Sequence, residues 1–158
     1  MKSKSILEPS SLYQVAEISI TYSCGIRPID RPQITSSWQA HDIFIEVWEK
    51  DTIGHREQLR VMLLNRSNRV LGVYLLSSGG IAGTVCDPKL LFQAALKANA
   101  SSIILAHNHP SGNLTPSEAD VKLTKKLVAA GKFLDLPVSD HLILTEQGYL
   151  SMAEEGLM

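Results

Sequence analysis

The stretch Ile103-Ile104-Leu105-Ala106-His107-Asn108-His109-Pro110 decides how this chain of 158 residues is interpreted. Its first four residues are apolar and predict a buried β-strand. Side chains at positions i and i+2 of a strand lie on the same face, so His107 and His109 can point to one side while Asn108 points to the other. The sequence therefore predicts two imidazoles side by side at the end of a strand.

A carboxylate follows within reach of these histidines. The turn-forming residues Pro110-Ser111-Gly112-Asn113 let the chain reverse its direction. Thr115-Pro116-Ser117-Glu118 predicts a capping box with a first-turn proline, so a helix should begin at residue 116 and carry Asp120 on the same face as Ser117. Two neutral imidazoles and one carboxylate leave one position of a tetrahedral zinc ion open to water, as in catalytic zinc sites. The two histidines and Asp120 are the predicted zinc ligands.

A zinc hydrolase also needs a base that takes a proton from water and passes it to the leaving group. Four carboxylates are candidates for this base: Glu57, Glu118, Asp140 and Asp87. Glu118 is interpreted as the capping-box partner and Asp87 as a helix cap. Glu57 is preferred because it opens the first central strand. Asp140 stays as the alternative, with a second interpretation as a group that orients a ligand beside His141.

The apolar pattern of the rest of the chain predicts an α/β fold with a mixed, largely antiparallel sheet flanked by helices. We expect residues 1–35 to form an amino-terminal strand, over 12–22, and a connection, and residues 36–158 to form one domain. The elements predicted within that domain are a hairpin of 59–65 and 70–76, strands over 103–107 and 138–145, and helices near 36–50, 88–99 and 116–134.

Composition and charge exclude several classes of protein. A hydrophobic fraction of 44% and a charged fraction of 20% are those of an ordinary globular domain. The net charge of −1, with dispersed basic residues, offers little counterion release on nucleic acid. The two cysteines lack a CxxC spacing and predict reduced thiols. With no signal-peptide apolar region, and no run near the roughly 18 apolar residues of a membrane span, we expect a cytoplasmic protein without membrane association.

In its motifs the chain resembles the JAMM (MPN) metalloproteins, and within them the RadC-like branch. The JAMM pattern is a distant Glu, then His-x-His-Pro, then Ser-x-x-Asp, with eleven positions from the second His to the Asp. The stretches 107–110 and 117–120 fit this pattern. The form His-Asn-His-Pro-Ser-Gly-Asn, together with Asp140-His141, is similar to the RadC-like branch specifically. The likeness covers roughly residues 55 to 158 by motif order.

The resemblance implies a single MPN domain of the cytidine-deaminase-like α/β type. It implies zinc bound by His107, His109 and Asp120. It also implies Glu57 as the general acid/base and Ser117 as the group that assists the tetrahedral intermediate. The implied activity is that of a zinc metallopeptidase, acting on a peptide, a protein or a related amide.

Two departures from the family pattern keep other functions open. Asn108 stands where peptidase members usually have Ser or Thr, so activity on ubiquitin-like conjugates is not implied. Residues 1–50 lack the Gly-rich hairpins of the helix-hairpin-helix region in longer RadC-like proteins, which weakens the case for DNA contact. The alternative function is a non-catalytic accessory module in DNA repair or mobile-element maintenance, and a third is a partner-binding scaffold. The sequence leaves the substrate, the pathway and the oligomeric state open.

Overall fold

The computed structural model describes residues 18–19, 21–23, 25–79 and 85–158, which form an α/β fold as predicted. The strand predicted over residues 12–22 lies largely outside the described residues and stays a prediction. The described part contains three α-helices: α1 (Ser37–Val47), α2 (Pro88–Lys97) and α3 (Glu118–Phe133). It also contains five strands: β1 (Gln58–Leu64), β2 (Val70–Ser78), β3 (Ser102–Asn108), β4 (Val138–Thr145) and β5 (Gly148–Ser151).

The five strands form one sheet in the order β2-β1-β3-β4-β5. Only the β3–β4 pair is parallel among the pairs of this sheet, and α3 provides the crossover that a parallel pair requires. The other three pairs are antiparallel, so the prediction of a mixed, largely antiparallel sheet is confirmed. The predicted hairpin turns at residues 65–68, where the Asn65 side chain accepts hydrogen bonds from the backbone N–H groups of Ser67 and Arg69.

The helices cover both faces of the sheet, and alternation along β3 decides which side chains meet which helix. Ile103 and Leu105 belong to the core that includes residues of α2 and α3. Ile104 and Ala106 belong to the core that includes residues of α1. Because side chains alternate along a strand, His107 continues the α3 face and Asn108 the α1 face.

The beginnings of α2 and α3 depend on local capping. Asp87 accepts a hydrogen bond from the backbone N–H of Lys89 and precedes a first-turn proline, as predicted. The predicted capping box of α3 was wrong, because the N-cap is Ser117 and its partner is Asp120, whereas Glu118 is the first helical residue. With Ser117 in an extended backbone conformation, the third helical residue is Asp120, and its carboxylate reaches back to the Ser117 N–H.

No helix among the described residues is both long enough and apolar enough to cross a bilayer.

Candidate metal centre

Antiparallel pairing of β1 with β3 brings Glu57 to the two histidines. Leu59 lies opposite His107 in this ladder. Antiparallel strands run in opposite directions, so a step of two residues back from Leu59 matches a step of two residues forward from His107. Glu57 therefore lies opposite His109. A carboxylate oxygen of Glu57 is 3.8 Å from Nε2 of His109. The preferred candidate base therefore lies beside the histidines, although its role as a base stays a prediction.

The first turn of α3 brings Asp120 to the same place. Its two carboxylate oxygens lie 3.3 Å from Nε2 of His107 and 3.5 Å from Nε2 of His109. The two Nε2 atoms are 2.9 Å apart. The three predicted ligands therefore face one another with Nε2 of His107, Nε2 of His109 and the carboxylate of Asp120.

These donors fit a zinc ion by type and by spacing. Ligands about 2.0–2.1 Å from zinc at tetrahedral angles stand about 3.4 Å from one another. The measured separations of 2.9, 3.3 and 3.5 Å are close to that value. Glu57 also belongs to a group with the two histidines in which one ligand atom from each lies within 4.8 Å of the others. The Asp120 carboxylate is nearer than that of Glu57 to Nε2 of His109, at 3.5 Å against 3.8 Å, so Asp120 is the better placed of the two to complete a three-ligand set.

The ring of His109 is oriented by a backbone carbonyl. Its Nδ1 lies 2.6 Å from the carbonyl oxygen of Asn113, which can only accept a hydrogen bond. The proton of a neutral His109 ring is therefore on Nδ1, and Nε2 presents a lone pair to the cluster. The turn that contains Gly112, at φ 79°, returns the chain to make this contact.

The ring of His107 has a fully buried partner on β4. Its Nδ1 lies 2.8 Å from Nε2 of His141, whose Nδ1 lies 2.7 Å from Oγ1 of Thr124. Thr124 in turn donates to the backbone carbonyl of Asp120 at 2.6 Å. A continuous chain of hydrogen bonds thus runs from one metal-facing ring to the helix that carries the carboxylate. This chain of hydrogen bonds includes His141, which the sequence analysis named only as the neighbour of Asp140. It also includes Thr124, which the sequence analysis did not identify.

The charges of the cluster stabilise one another. Burial alone would raise the pKa of Asp120, but the neighbouring rings of His107 and His109 and the hydroxyl of Ser117 hold it well below its ordinary value. The adjacent Asp120 carboxylate raises the pKa of His109, and burial opposes this shift in part. Complete burial lowers the pKa of His141 well below its usual range, so that ring is neutral at pH 7.

Ser117 makes three hydrogen bonds to Asp120 in this structure. Its Oγ donates to Oδ2 of Asp120 at 2.7 Å and accepts from the Asp120 backbone N–H at 3.2 Å. The backbone N–H of Ser117 donates to the same Oδ2 at 2.7 Å. Ser117 therefore holds the carboxylate, and its predicted assistance to a tetrahedral intermediate stays a prediction.

The other candidate carboxylates have different surroundings. Asp140 is buried and accepts hydrogen bonds from Ser151 Oγ and from the backbone N–H groups of His141 and Ala153. It ties β4 to β5 and the residues that follow, so both of its carboxylate oxygens are engaged there, and it contacts the backbone of His141 rather than its ring. Asp87 is occupied as the cap of α2.

An open cleft of about 270 Å³ exposes the candidate centre to solvent. Glu57, His109 and Asp120 share its wall with Ser117 and with the turn after β3. His107 is buried behind this wall, with its side chain only 4% exposed. The cluster is therefore open to solvent on the side where Glu57 lies.

Comparison with known proteins gives the family. The model of the RadC-like JAB domain matches residues 34–157, and the chain therefore belongs to that family, as its resemblance to RadC-like JAMM proteins predicts. A UPF0758 protein of Flavobacterium johnsoniae is 46% identical over 127 residues, covering 79% of this chain and 53% of the relative. A UPF0758 protein of Thermosynechococcus vestitus is 40% identical over 126 residues, covering 80% and 47%. The chain thus spans about half the length of these relatives.

Proposed function

We propose that this protein is a zinc-dependent hydrolase of peptide or related amide bonds. One observation carries the proposal: Nε2 of His107, Nε2 of His109 and the carboxylate of Asp120 lie within 3.5 Å of one another, with a second carboxylate, Glu57, beside them in an open cleft. Three protein ligands and an adjacent base are the components of a catalytic zinc site rather than a closed structural one.

Zinc in this position would supply Lewis acidity, which polarises a carbonyl and lowers the pKa of a coordinated water to about 7. His107, His109 and Asp120 would hold the ion. Glu57 accepts a proton as water attacks the carbonyl carbon, and it then delivers that proton to the leaving nitrogen. A C–O bond forms, the C–N bond breaks, and the products are a carboxylate and an amine.

Ser117 stabilises the tetrahedral intermediate in this proposal. Its hydroxyl rotates from Asp120 to donate to the developing oxyanion. Asp120 stays oriented during the rotation because its Oδ2 also accepts from the backbone N–H of Ser117. The substrate class is a peptide or protein segment that is extended enough to enter the cleft of about 270 Å³.

The test compares the zinc-loaded protein with its Glu57→Gln variant on peptide libraries, with products detected by mass spectrometry. The variant keeps the three ligands, so it should bind zinc as the original protein does and lose about 10² to 10⁴-fold in cleavage rate. Equal cleavage by both proteins would exclude Glu57 as the base. A protein that binds no zinc, measured by elemental analysis beside His109→Ala, would exclude the metal site itself.

The non-catalytic alternative makes a different prediction. An accessory module of DNA repair would bind DNA in a salt-sensitive manner, since phosphate contacts release counterions. That binding would survive both removal of zinc and the Glu57→Gln substitution. Such a result, with no cleavage of any peptide, would favour the accessory module over the hydrolase.

A further inference from the structure

Asn108 lies between the two histidines and is completely buried. Its side chain makes three hydrogen bonds, all of them to backbone atoms near the start of β1. Oδ1 accepts from the N–H of Gln58 at 2.7 Å. Nδ2 donates to the carbonyl oxygens of Ile53 at 2.6 Å and Arg56 at 2.9 Å. Both protons of the amide and its oxygen are therefore used.

These contacts lie on both sides of Glu57. Arg56 and Gln58 are its immediate neighbours, and Asn108 binds the carbonyl of the first and the N–H of the second. The Glu57 carbonyl itself accepts from the N–H of Gly79 at 2.9 Å. The backbone of Glu57 is thus held from the side of β3 and from the side of β2.

Strand alternation links this contact to the metal centre. Asn108 points to the α1 face, while His107 points to the α3 face, where Glu57 meets the histidines. One three-residue segment therefore carries two candidate ligands on one side and the anchor of the candidate base on the other. Any displacement of the 53–58 segment relative to β3 would change the distance from Glu57 to His109.

We infer that Asn108 is a positioning residue that holds Glu57 at the distance from the metal ligands that proton transfer requires. This inference rests on the proposed function for the role of Glu57. It also explains the asparagine between the histidines, because the three contacts need two donors and one acceptor on a short side chain. An aspartate lacks the donors, and a serine offers a single hydroxyl.

The first experiment compares Asn108→Ala with Thr145→Val, a control that removes two partly buried hydrogen bonds from the β4–β5 turn outside the centre. Hydrogen exchange of the peptide covering residues 53–58 should be about tenfold faster or more in Asn108→Ala than in the control. Zinc affinity should stay within about threefold, because the ligands are unchanged. An exchange rate equal to that of the control would overturn the inference.

The second experiment separates positioning from a general loss of structure. In a zinc-loaded, active protein, Asn108→Ala should lower kcat by about 10²-fold with KM unchanged, because a misplacement of about 1 Å is enough for such a loss. Adding Asn108→Ala to Glu57→Gln should cause little further loss, since the base is already absent. Additive losses would contradict the inference.

Failure of the proposed function is distinguishable from failure of this inference. If no substrate is cleaved, the hydrolase proposal fails, while the exchange rates still decide whether Asn108 holds the 53–58 segment. If Asn108→Ala does not fold, the hydrogen bonds of Asn108 can be measured by NMR in the unsubstituted protein instead. Its two Asn108 Nδ2 protons should give separate, slowly exchanging NMR signals, and rapid exchange would overturn the inference.

Discussion

Nδ1 of His107 and Nε2 of His141 are 2.8 Å apart, in a part of the core that excludes solvent. The direction of this hydrogen bond follows from its neighbours. The single hydroxyl proton of Thr124 is donated to the Asp120 carbonyl, so Oγ1 accepts from Nδ1–H of the neutral His141 ring. Nε2 of His141 is then an acceptor and His107 donates from Nδ1. Nε2 of His107 is left with the lone pair that a metal requires.

Replacing Thr124 tests this chain of hydrogen bonds. Thr124→Val keeps the shape of the side chain but removes the oxygen that accepts from Nδ1–H of His141. The His141 proton is then better placed on Nε2, where it is donated to Nδ1 of His107. His107 must in turn carry its own proton on Nε2, the nitrogen that would bind the metal. We expect zinc affinity at pH 7.5 to fall by about 10- to 100-fold, as for other partners of metal-bound histidines. Competition with a chromophoric chelator measures the change.

Thr124→Ser is the matched control, because it keeps the hydroxyl, and its zinc affinity should stay close to that of the original protein. Long-range ¹H–¹⁵N correlation spectra of the metal-free protein report the tautomers directly. They should show His107 protonated on Nδ1 in Thr124→Ser and on Nε2 in Thr124→Val. Equal affinities and identical tautomers in the two variants would refute the assignment.

A second prediction concerns the start of α3. Ser117→Ala removes the cap that accepts the Asp120 N–H, and it also removes one of the two donors to Asp120 Oδ2. The free energy of unfolding of the metal-free protein should fall by about 1 kcal/mol, the usual effect of losing a serine cap. Urea denaturation measures it. Ser111→Ala, in the exposed turn after β3, should change stability by less than about 0.5 kcal/mol, and a similar loss in both variants would contradict the capping role.

Much of the fold could be predicted because its elements carry strong local signals. The run that leads to His107 is apolar throughout, and the Asp87-Pro88 pair sets the start of α2. β5 lacked such a signal, since the four residues Gly148–Ser151 are too few to show a period. Their strand conformation comes from pairing with β4, which is a tertiary effect.

In the candidate site, too, residues with local sequence signals could be predicted, and residues that depend on distant contacts could not. His107, His109 and Asp120 could be proposed together because their spacing along the chain is short. Asn108 reaches Ile53 and Arg56, which are 55 and 52 positions away, and nothing local in the sequence signals such contacts. The place of His141 depends on the register of the parallel β3–β4 pair, in which it lies opposite Leu105. A single sequence does not specify that register.

The reactivity of Cys86 gives a third prediction. Burial, together with the negative charge of Asp87, raises the pKa of this thiol from 9.0 to about 11. The thiolate is the reactive form, so at pH 8 alkylation of the folded protein should be about 100-fold slower than for an unperturbed thiol. The rate should still rise about tenfold per pH unit up to pH 9.5, because the folded pKa lies higher. Mass-spectrometric mapping of the Cys86 peptide, with urea-unfolded protein as the reference, measures both rates, and equal rates in the two states would contradict the shift.

The close contact between α3 and the segment before β4 gives the last prediction. Gly131 is buried in α3, and a Cβ built on it would collide with the carbonyl oxygen of Leu136. That backbone cannot move away easily, because the Leu136 N–H donates to the Gly131 carbonyl at 2.8 Å. Alanine normally stabilises a helix interior relative to glycine by about 1 kcal/mol, but here the forced displacement should outweigh that gain. We expect Gly131→Ala to lower the free energy of unfolding by about 1–3 kcal/mol, the usual range for overpacked cores.

Gly72→Ala is the control for this change, since a Cβ at Gly72 meets no atom within 4 Å. It should leave stability unchanged or slightly higher, because alanine loses less conformational freedom than glycine on folding. Thermal unfolding of both variants measures the contrast. A higher melting temperature for Gly131→Ala than for the original protein would show that α3 can shift away from Leu136.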